Sequence, residues 1–190
     1  VDGMAELTGT DHWLWTITRL EDDGGWVAVS VLHNLTEKQL TTIAEQNYRN
    51  VGSDYHTALA RTAMQGPHMT RSMNQMLDIE AWNQSDFGRV IAEHADIGDQ
   101  SLYSFFQVPN RRHMISGIGL HRRPGRPAYS QRDQRILHIL ASEVRWLHEL
   151  SVPGEDGSHT AQLAPRLRTV LTPVSSTPLT LPTRVPVTLD

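Results

Sequence analysis

The sequence predicts an α/β domain of the α+β kind, a central antiparallel sheet flanked by helices, followed by a disordered C-terminal tail. Three observations predict it. Trp13, Trp15 and Ile17 alternate with other residues, as do Val27, Val29 and Val31, and the string Glu21-Asp22-Asp23-Gly24-Gly25 between the two runs supplies the turn of a hairpin. Two later runs, at 102–106 and 114–120, are apolar on both faces, which marks strands covered on both sides. Segments with helix-start chemistry and a period near that of the α-helix lie between and after these runs.

Taken in order, Met4 to Leu7 before Gly9 reads as the end of a helix, because a glycine just past the last turn adopts the left-handed backbone at no steric cost. The body of that helix is expected upstream of Val1, with the N-terminus incomplete or processed. Strands follow at 12–19 and 26–33. Thr36 with Gln39 forms a capping box, Leu35 staples onto Leu40, and Ile43 and Ala44 extend a buried stripe. A second helix from Asp54 to Met64 is stopped by Gly66-Pro67. Met69, Met73 and Met76 have helical spacing over too short a segment, which is assigned to no element. Asp78 and Ser85 cap two short helices whose apolar surface comes from Trp82, Phe87, Val90 and Ile91.

Strands at 101–107 and 113–121 are joined by Pro109-Asn110 as an antiparallel hairpin. Ser130 with Asp133 opens a helix expected to run to Leu150, with Ile136, Leu140, Val144 and Leu147 as its stripe and Trp146 near its exit. This completes one domain over residues 1–150. Residues 151–162, with Pro153-Gly154 and Gly157-Ser158, read as a linker. Beyond 171, Pro173, Pro178, Pro182 and Pro186 among threonines and valines leave no periodic apolar face, so residues 172–190 are expected to be disordered.

Composition excludes several classes of function. The net charge of -4 supports neither a nucleic-acid coat nor a membrane-surface protein. The first 100 residues carry 15 acidic and 6 basic side chains and the remainder 6 and 11, but Arg111, Arg112, Arg122, Arg123 and Arg126 sit in short loop-like segments rather than on a groove-entering helix. With no cysteine there is no disulfide, thiolate metal site or cysteine nucleophile, and a cytoplasmic location is expected. No apolar run is long enough to span a membrane, and no signal segment opens the chain.

Ten histidines invite a metal reading, with His94, Asp96 and Asp99 as the nearest cluster, but no His-Glu-x-x-His spacing occurs and no metal is expected. Gly117 and Gly119 lie inside a hairpin with no helix start to receive a pyrophosphate, so they read as points of close approach. Ser104 and Ser116 are mid-strand and outside any nucleophile elbow. The aromatic residues offer the better candidate. Trp13, Trp15, Tyr103 and Phe105 belong to strands of one sheet, and an aromatic sheet face under a lid of helices makes a small-molecule pocket. Ordinary core packing is the other reading of the same four residues.

The run Leu163-Ala-Pro-Arg-Leu-Arg-Thr-Val-Leu171 resembles the opening of a LuxR-type helix-turn-helix, with Pro165 at the first helical position and Ala164 where a capping threonine is usual. The block from Ser101 to Glu149, including Leu102-Tyr-Ser-Phe, Gly119-Leu-His-Arg122 and Arg126-Pro-Ala-Tyr-Ser130, is similar to the last strands and helix of GAF-like sensor domains that precede LuxR-type DNA-binding domains in bacterial regulators. The resemblance implies a GAF/PAS-like fold for residues 1–150 and a stump of the helix-turn-helix at 163–171, in which Pro165, Arg166 and Arg168 are the DNA-binding remnant. The second helix and recognition helix do not follow Leu171, as expected of a truncated or frameshifted reading frame.

The function so implied is the signal-sensing part of a LuxR-family transcriptional regulator lacking most of its DNA-binding domain. Its expected partners are a small-molecule or protein signal and, as an option, a second copy of the chain. No cofactor, no enzymatic activity and no sequence-specific DNA binding by this chain are expected. The alternatives are a small-molecule-binding or protein-interaction module without a transcriptional role, and a small enzyme on the same fold.

Overall fold

The computed structural model describes residues 1–20, 26–108 and 113–144. The linker at 151–162, the helix-turn-helix remnant at 163–171 with Pro165, Arg166 and Arg168, the tail at 172–190, and Trp146 and Leu147 all lie outside the described residues. So do residues 21–25 and 109–112, where the two hairpin turns are expected.

A short helix α1 (Asp2–Thr8) ends at Gly9, whose φ of 60° is the left-handed cap expected of it. Strands β1 (His12–Leu20) and β2 (Trp26–His33) pair antiparallel. Helix α2 (Glu37–Arg49) begins on the Thr36 and Gln39 capping box, α3 (Asp54–Ala63) on the Ser53 hydroxyl, and α4 (Ile79–Gln84) and α5 (Asp86–Ala95) on Asp78 and Ser85. Strands β4 (Ser101–Gln107) and β5 (Met114–His121) form the antiparallel hairpin, and α6 (Gln131–Glu143) starts on the Ser130 and Asp133 box.

The unassigned methionine segment is a fifth strand, β3 (His68–Ser72), followed by a single 3-10 turn at Met73–Gln75. Five residues are too few for alternation to outweigh the helical spacing of three methionines, so pairing with β4 is what decides its state. The sheet order is β2-β1-β5-β4-β3, antiparallel at each junction. β5 and β4 lie inside it and are buried almost throughout, as their two-faced apolar content requires. The chain therefore has the α+β architecture of an antiparallel sheet flanked by helices. No helix among the described residues is long and apolar enough to cross a membrane.

Two corrections concern which side chains share a face. Val27, Val29 and Val31 do not. A bulge at Ile17/Thr18 sets Val31 opposite Thr16 and Val27 opposite Arg19, which places these two valines on opposite faces. On α6 the buried centre is Leu137 and Ala141, both 0% exposed, while Ile136, Leu140 and Val144 flank it and are only partly buried. The described part of the helix ends with its cap at Val144, and residues 145–150 of the expected run lie outside the described residues.

The sheet separates two cores. On one face α1 and α6 cover Trp13, Trp15, Leu102, Phe106, Ile118 and Leu120. Both indoles are satisfied there: Trp13 Nε1 donates to Asp2 Oδ1 at 2.9 Å and Trp15 Nε1 to Ser116 Oγ at 2.8 Å. Arg122 ties the layer together. Its guanidinium donates to the carbonyls of Pro127, Ala128 and Thr8, faces Asp133 at 3.7 Å and lies 4.0 Å over the Tyr129 ring. On the other face α2 to α5 cover Tyr103, Phe105 and Ile115, with Trp82, Phe87 and Ile91 from the helices.

Candidate functional site

Strand alternation decides what this second core can hold. Thr16, Tyr103, Phe105, Gly117, Gly119 and His121 all point to the α2–α5 side, because register pairs Thr16 with Gly117, Tyr103 with Gly119 and Phe105 with Gly117. Two adjacent glycine sites on β5 remove the side chains that would fill the space above the sheet. A Cβ at Gly117 would stand 3.2 Å from Phe105 Cδ1, and one at Gly119 would stand 3.3 Å from Tyr103 Cε1 and 2.7 Å from His121 Nε2. The expected close approach is thus made by neighbouring side chains that lie across the glycines.

The helices do not close down fully on this floor. Between them is a cavity of about 610 Å³, within the size range of drug-sized ligand sites. Leu40 and Ile43 of α2, Tyr55 and Leu59 of α3, Trp82 of α4, and Phe87 and Ile91 of α5 make its roof. Val31 of β2 and Leu14 of β1 close one side. Tyr48 and Val51, exposed at 73% and 66%, stand at its rim. Tyr55 packs on Trp82 with ring centroids 4.9 Å apart and edge-on to Phe87 at 5.3 Å, so the roof is an aromatic cluster.

Polar groups enter the cavity in a few places and none of the described lining residues is Asp, Glu, Lys or Arg. Tyr55 and Tyr103 share a hydrogen bond between their hydroxyls at 2.9 Å. Burial pushes the Tyr55 phenol well above its usual range, with the Tyr103 oxygen adding to the effect, and burial raises Tyr103 likewise. His121 Nδ1 meets Ser101 Oγ at 2.9 Å. Burial, and secondarily the neighbouring His12, pushes this imidazole down to about 3, so it is neutral at physiological pH. His56, near the rim, is bonded through Nδ1 to the Asn50 carbonyl at 2.8 Å and has its pKa lowered by burial.

The four aromatic residues singled out in the sequence are divided by this arrangement. Tyr103 and Phe105 lie in the cavity wall. Trp13 and Trp15 do not; odd-numbered positions of β1 face α1 and α6, so both indoles belong to the opposite core. Treating four aromatics in one sheet as one face ignored the parity that relates β1 to β4 through β5. His121, Tyr55 and the helix aromatics were missed because nothing local marks them: they converge only after four helices fold onto the sheet.

Of His94, Asp96 and Asp99, the two carboxylates are engaged elsewhere. Asp96 meets Arg123 Nε at 2.8 Å and His12 Nε2 at 3.4 Å, and Asp99 accepts from Asn83 and Gln100. Among the described residues no three His, Asp or Glu side chains are grouped to hold a metal ion. Ser104 and Ser116 are buried on the α6 side, where Ser104 bonds His68 and Thr70.

No protein-family model matches the chain, and no curated protein matches it in sequence. Among solved structures, the chain is similar to SdiA in complex with octanoyl-rac-glycerol, at 12% identity and a TM-score of 0.52, over 78% of this chain and 57% of that one. It therefore spans a little over half the length of SdiA, and what the two share is the fold. Weaker likenesses are to the GAF3 domain of Slr1393 from Synechocystis (14% identity, TM-score 0.44, 78% of this chain and 87% of that one). Another is to CepR2, an N-acylhomoserine lactone dependent LuxR-family transcription factor from Burkholderia cenocepacia (12% identity, TM-score 0.43, 76% of this chain and 78% of that one).

Proposed function

We propose that residues 1–144 form the signal-binding part of a LuxR-type transcriptional regulator, which takes up a small, mainly apolar molecule between the sheet and helices α2 to α5 and does no chemistry on it. The observation that carries this reading is the cavity of about 610 Å³ over the two glycines of β5, lined by aromatic and aliphatic side chains with a few buried hydroxyls and imidazoles. Cores pack at crystal-like density, so a cavity of this size over a glycine floor is built for an occupant. Two further features support it. SdiA, which has this fold, is in complex with octanoyl-rac-glycerol, and residues 163–171 resemble the opening of a LuxR-type helix-turn-helix. The reading without catalysis is supported by the neutral His121, too weak a base to activate the neighbouring Ser101.

The test uses N-phenyl-1-naphthylamine, an uncharged fluorescent probe. Expected are saturable one-to-one binding, a rise in melting temperature with probe concentration through mass action, and loss of both in Ala44→Trp, which fills the α2 wall. Probe binding unchanged in that variant overturns the pocket reading. Release of a chemically altered product from any bound ligand, seen by mass spectrometry, favours the enzyme reading instead.

A further inference from the structure

His121 is 7% exposed, lines the cavity, and has its Nδ1 committed to Ser101 Oγ at 2.9 Å. Its second ring nitrogen is not committed. Among the described residues no group hydrogen-bonds Nε2, which lies over Gly119 at 2.7 Å from where a Cβ would stand. His121 and Gly119 both belong to the cavity wall, so this nitrogen is placed where a ligand can reach it. Glycine keeps the approach open, since any larger residue at 119 would occupy the position beside Nε2.

We infer that His121 Nε2 is the anchoring point for an uncharged ligand that carries a hydroxyl group on an otherwise apolar body. The inference rests on the signal-binding reading above and adds to it the polarity and the charge of the signal. The absence of charge follows from the wall: none of the described lining residues is Asp, Glu, Lys or Arg, and a buried ion without a partner is strongly disfavoured. The hydroxyl follows from the group behind the imidazole. Ser101 Oγ meets His121 Nδ1 at 2.9 Å. A serine hydroxyl both donates and accepts, so it permits either tautomer of His121. A ligand hydroxyl matches both tautomers, whereas a carbonyl matches only one. The aromatic roof of Tyr55, Trp82 and Phe87 favours a flat or branched apolar body beneath it.

The experiment is competition against bound N-phenyl-1-naphthylamine by three compounds of one shape: 4-phenylphenol, 4-methylbiphenyl and biphenyl-4-carboxylate, at pH 7.5. In the wild-type protein the carboxylate competes at least about tenfold more weakly than the phenol. In His121→Leu the affinity ratio of phenol to methyl compound falls by about tenfold or more, and in His121→Gln, whose amide reaches the same point, it is largely kept. A wild-type measurement stands independently of either variant: the His121 Nε2 resonance in ¹⁵N spectra shifts on adding 4-phenylphenol and not on adding 4-methylbiphenyl. Equal competition by phenol and carboxylate, an unchanged ratio in a folded His121→Leu protein, or an Nε2 resonance blind to the phenol overturns the anchor while leaving the pocket in place. Failure of the naphthylamine probe to bind the wild-type protein at all overturns the pocket and the anchor together.

Discussion

Replacing His121 by glutamine removes one titratable group whose behaviour in the folded and unfolded chain differs sharply. Unfolded, the imidazole titrates near the ordinary value of about 6.5. Folded, burial first and the nearby His12 second hold it down to about 3. Below pH 6.5 the unfolded chain therefore binds a proton that the folded protein refuses, and stability falls with pH until the folded group itself titrates near 3. Between pH 7 and pH 5 this one site lowers the unfolding free energy by about 1.9 kcal/mol, and the figure barely changes if the folded value is a unit higher. His56, shifted the same way, remains in both proteins and cancels in the comparison. Urea denaturation at pH 7, 6 and 5 measures it: wild type loses about 1.9 kcal/mol more than His121→Gln over this interval. Parallel losses in the two proteins would show that His121 accepts a proton in the folded state, and the account of a neutral, cavity-facing imidazole would then be wrong.

Further predictions test the floor, the covering helix and the nucleic-acid expectation. Gly119→Ala places a methyl group on His121 Nε2, so the ring is displaced and the preference of the pocket for phenol over methyl compound is lost, read in the same competition assay. Leu137→Ala removes a side chain that is 0% exposed and costs about 2 to 5 kcal/mol, while Leu140→Ala, at the flank of the α6 stripe, costs clearly less. Denaturation midpoints in reverse order would show that the helix presents a different face. In anisotropy titrations against a pool of random duplexes the chain selects no sequence. Arg166 and Arg168 are expected to supply at most phosphate contacts, which weaken as salt is raised, and enrichment of one duplex at about 150 mM salt would overturn this.

Much of the fold was legible because its signals are local. Capping pairs are fixed by residues three apart, and Thr36 with Gln39 and Ser130 with Asp133 both form their boxes. The β4–β5 hairpin was legible because a strand covered on both faces has to be apolar on both. What escaped was long-range. The bulge beside Ile17 puts Val27 on the face opposite to Val31 without changing a residue. The strand at His68–Ser72 exists because β4 offers it an edge. The α6 stripe was misplaced by one position, since isoleucine and leucine were weighted above Ala141, although a small residue is what close packing on the sheet demands. The candidate site was half legible: Tyr103 and Phe105 stand where a ligand would touch them, whereas the tryptophans were assigned by composition to a face that parity denies them.

The same parity makes β5 a shared wall. Gly117, Gly119 and His121 look into the cavity, while Ser116, Ile118 and Leu120, their immediate chain neighbours, belong to the core under α1 and α6, and Ser116 holds the Trp15 indole. The partition between the two compartments is thus a single peptide layer, so a substitution on β5 acts on one compartment or the other according to its parity: a side chain added at Gly117 or Gly119 intrudes on the cavity, and one cut back at Ile118 or Leu120 opens the core behind it.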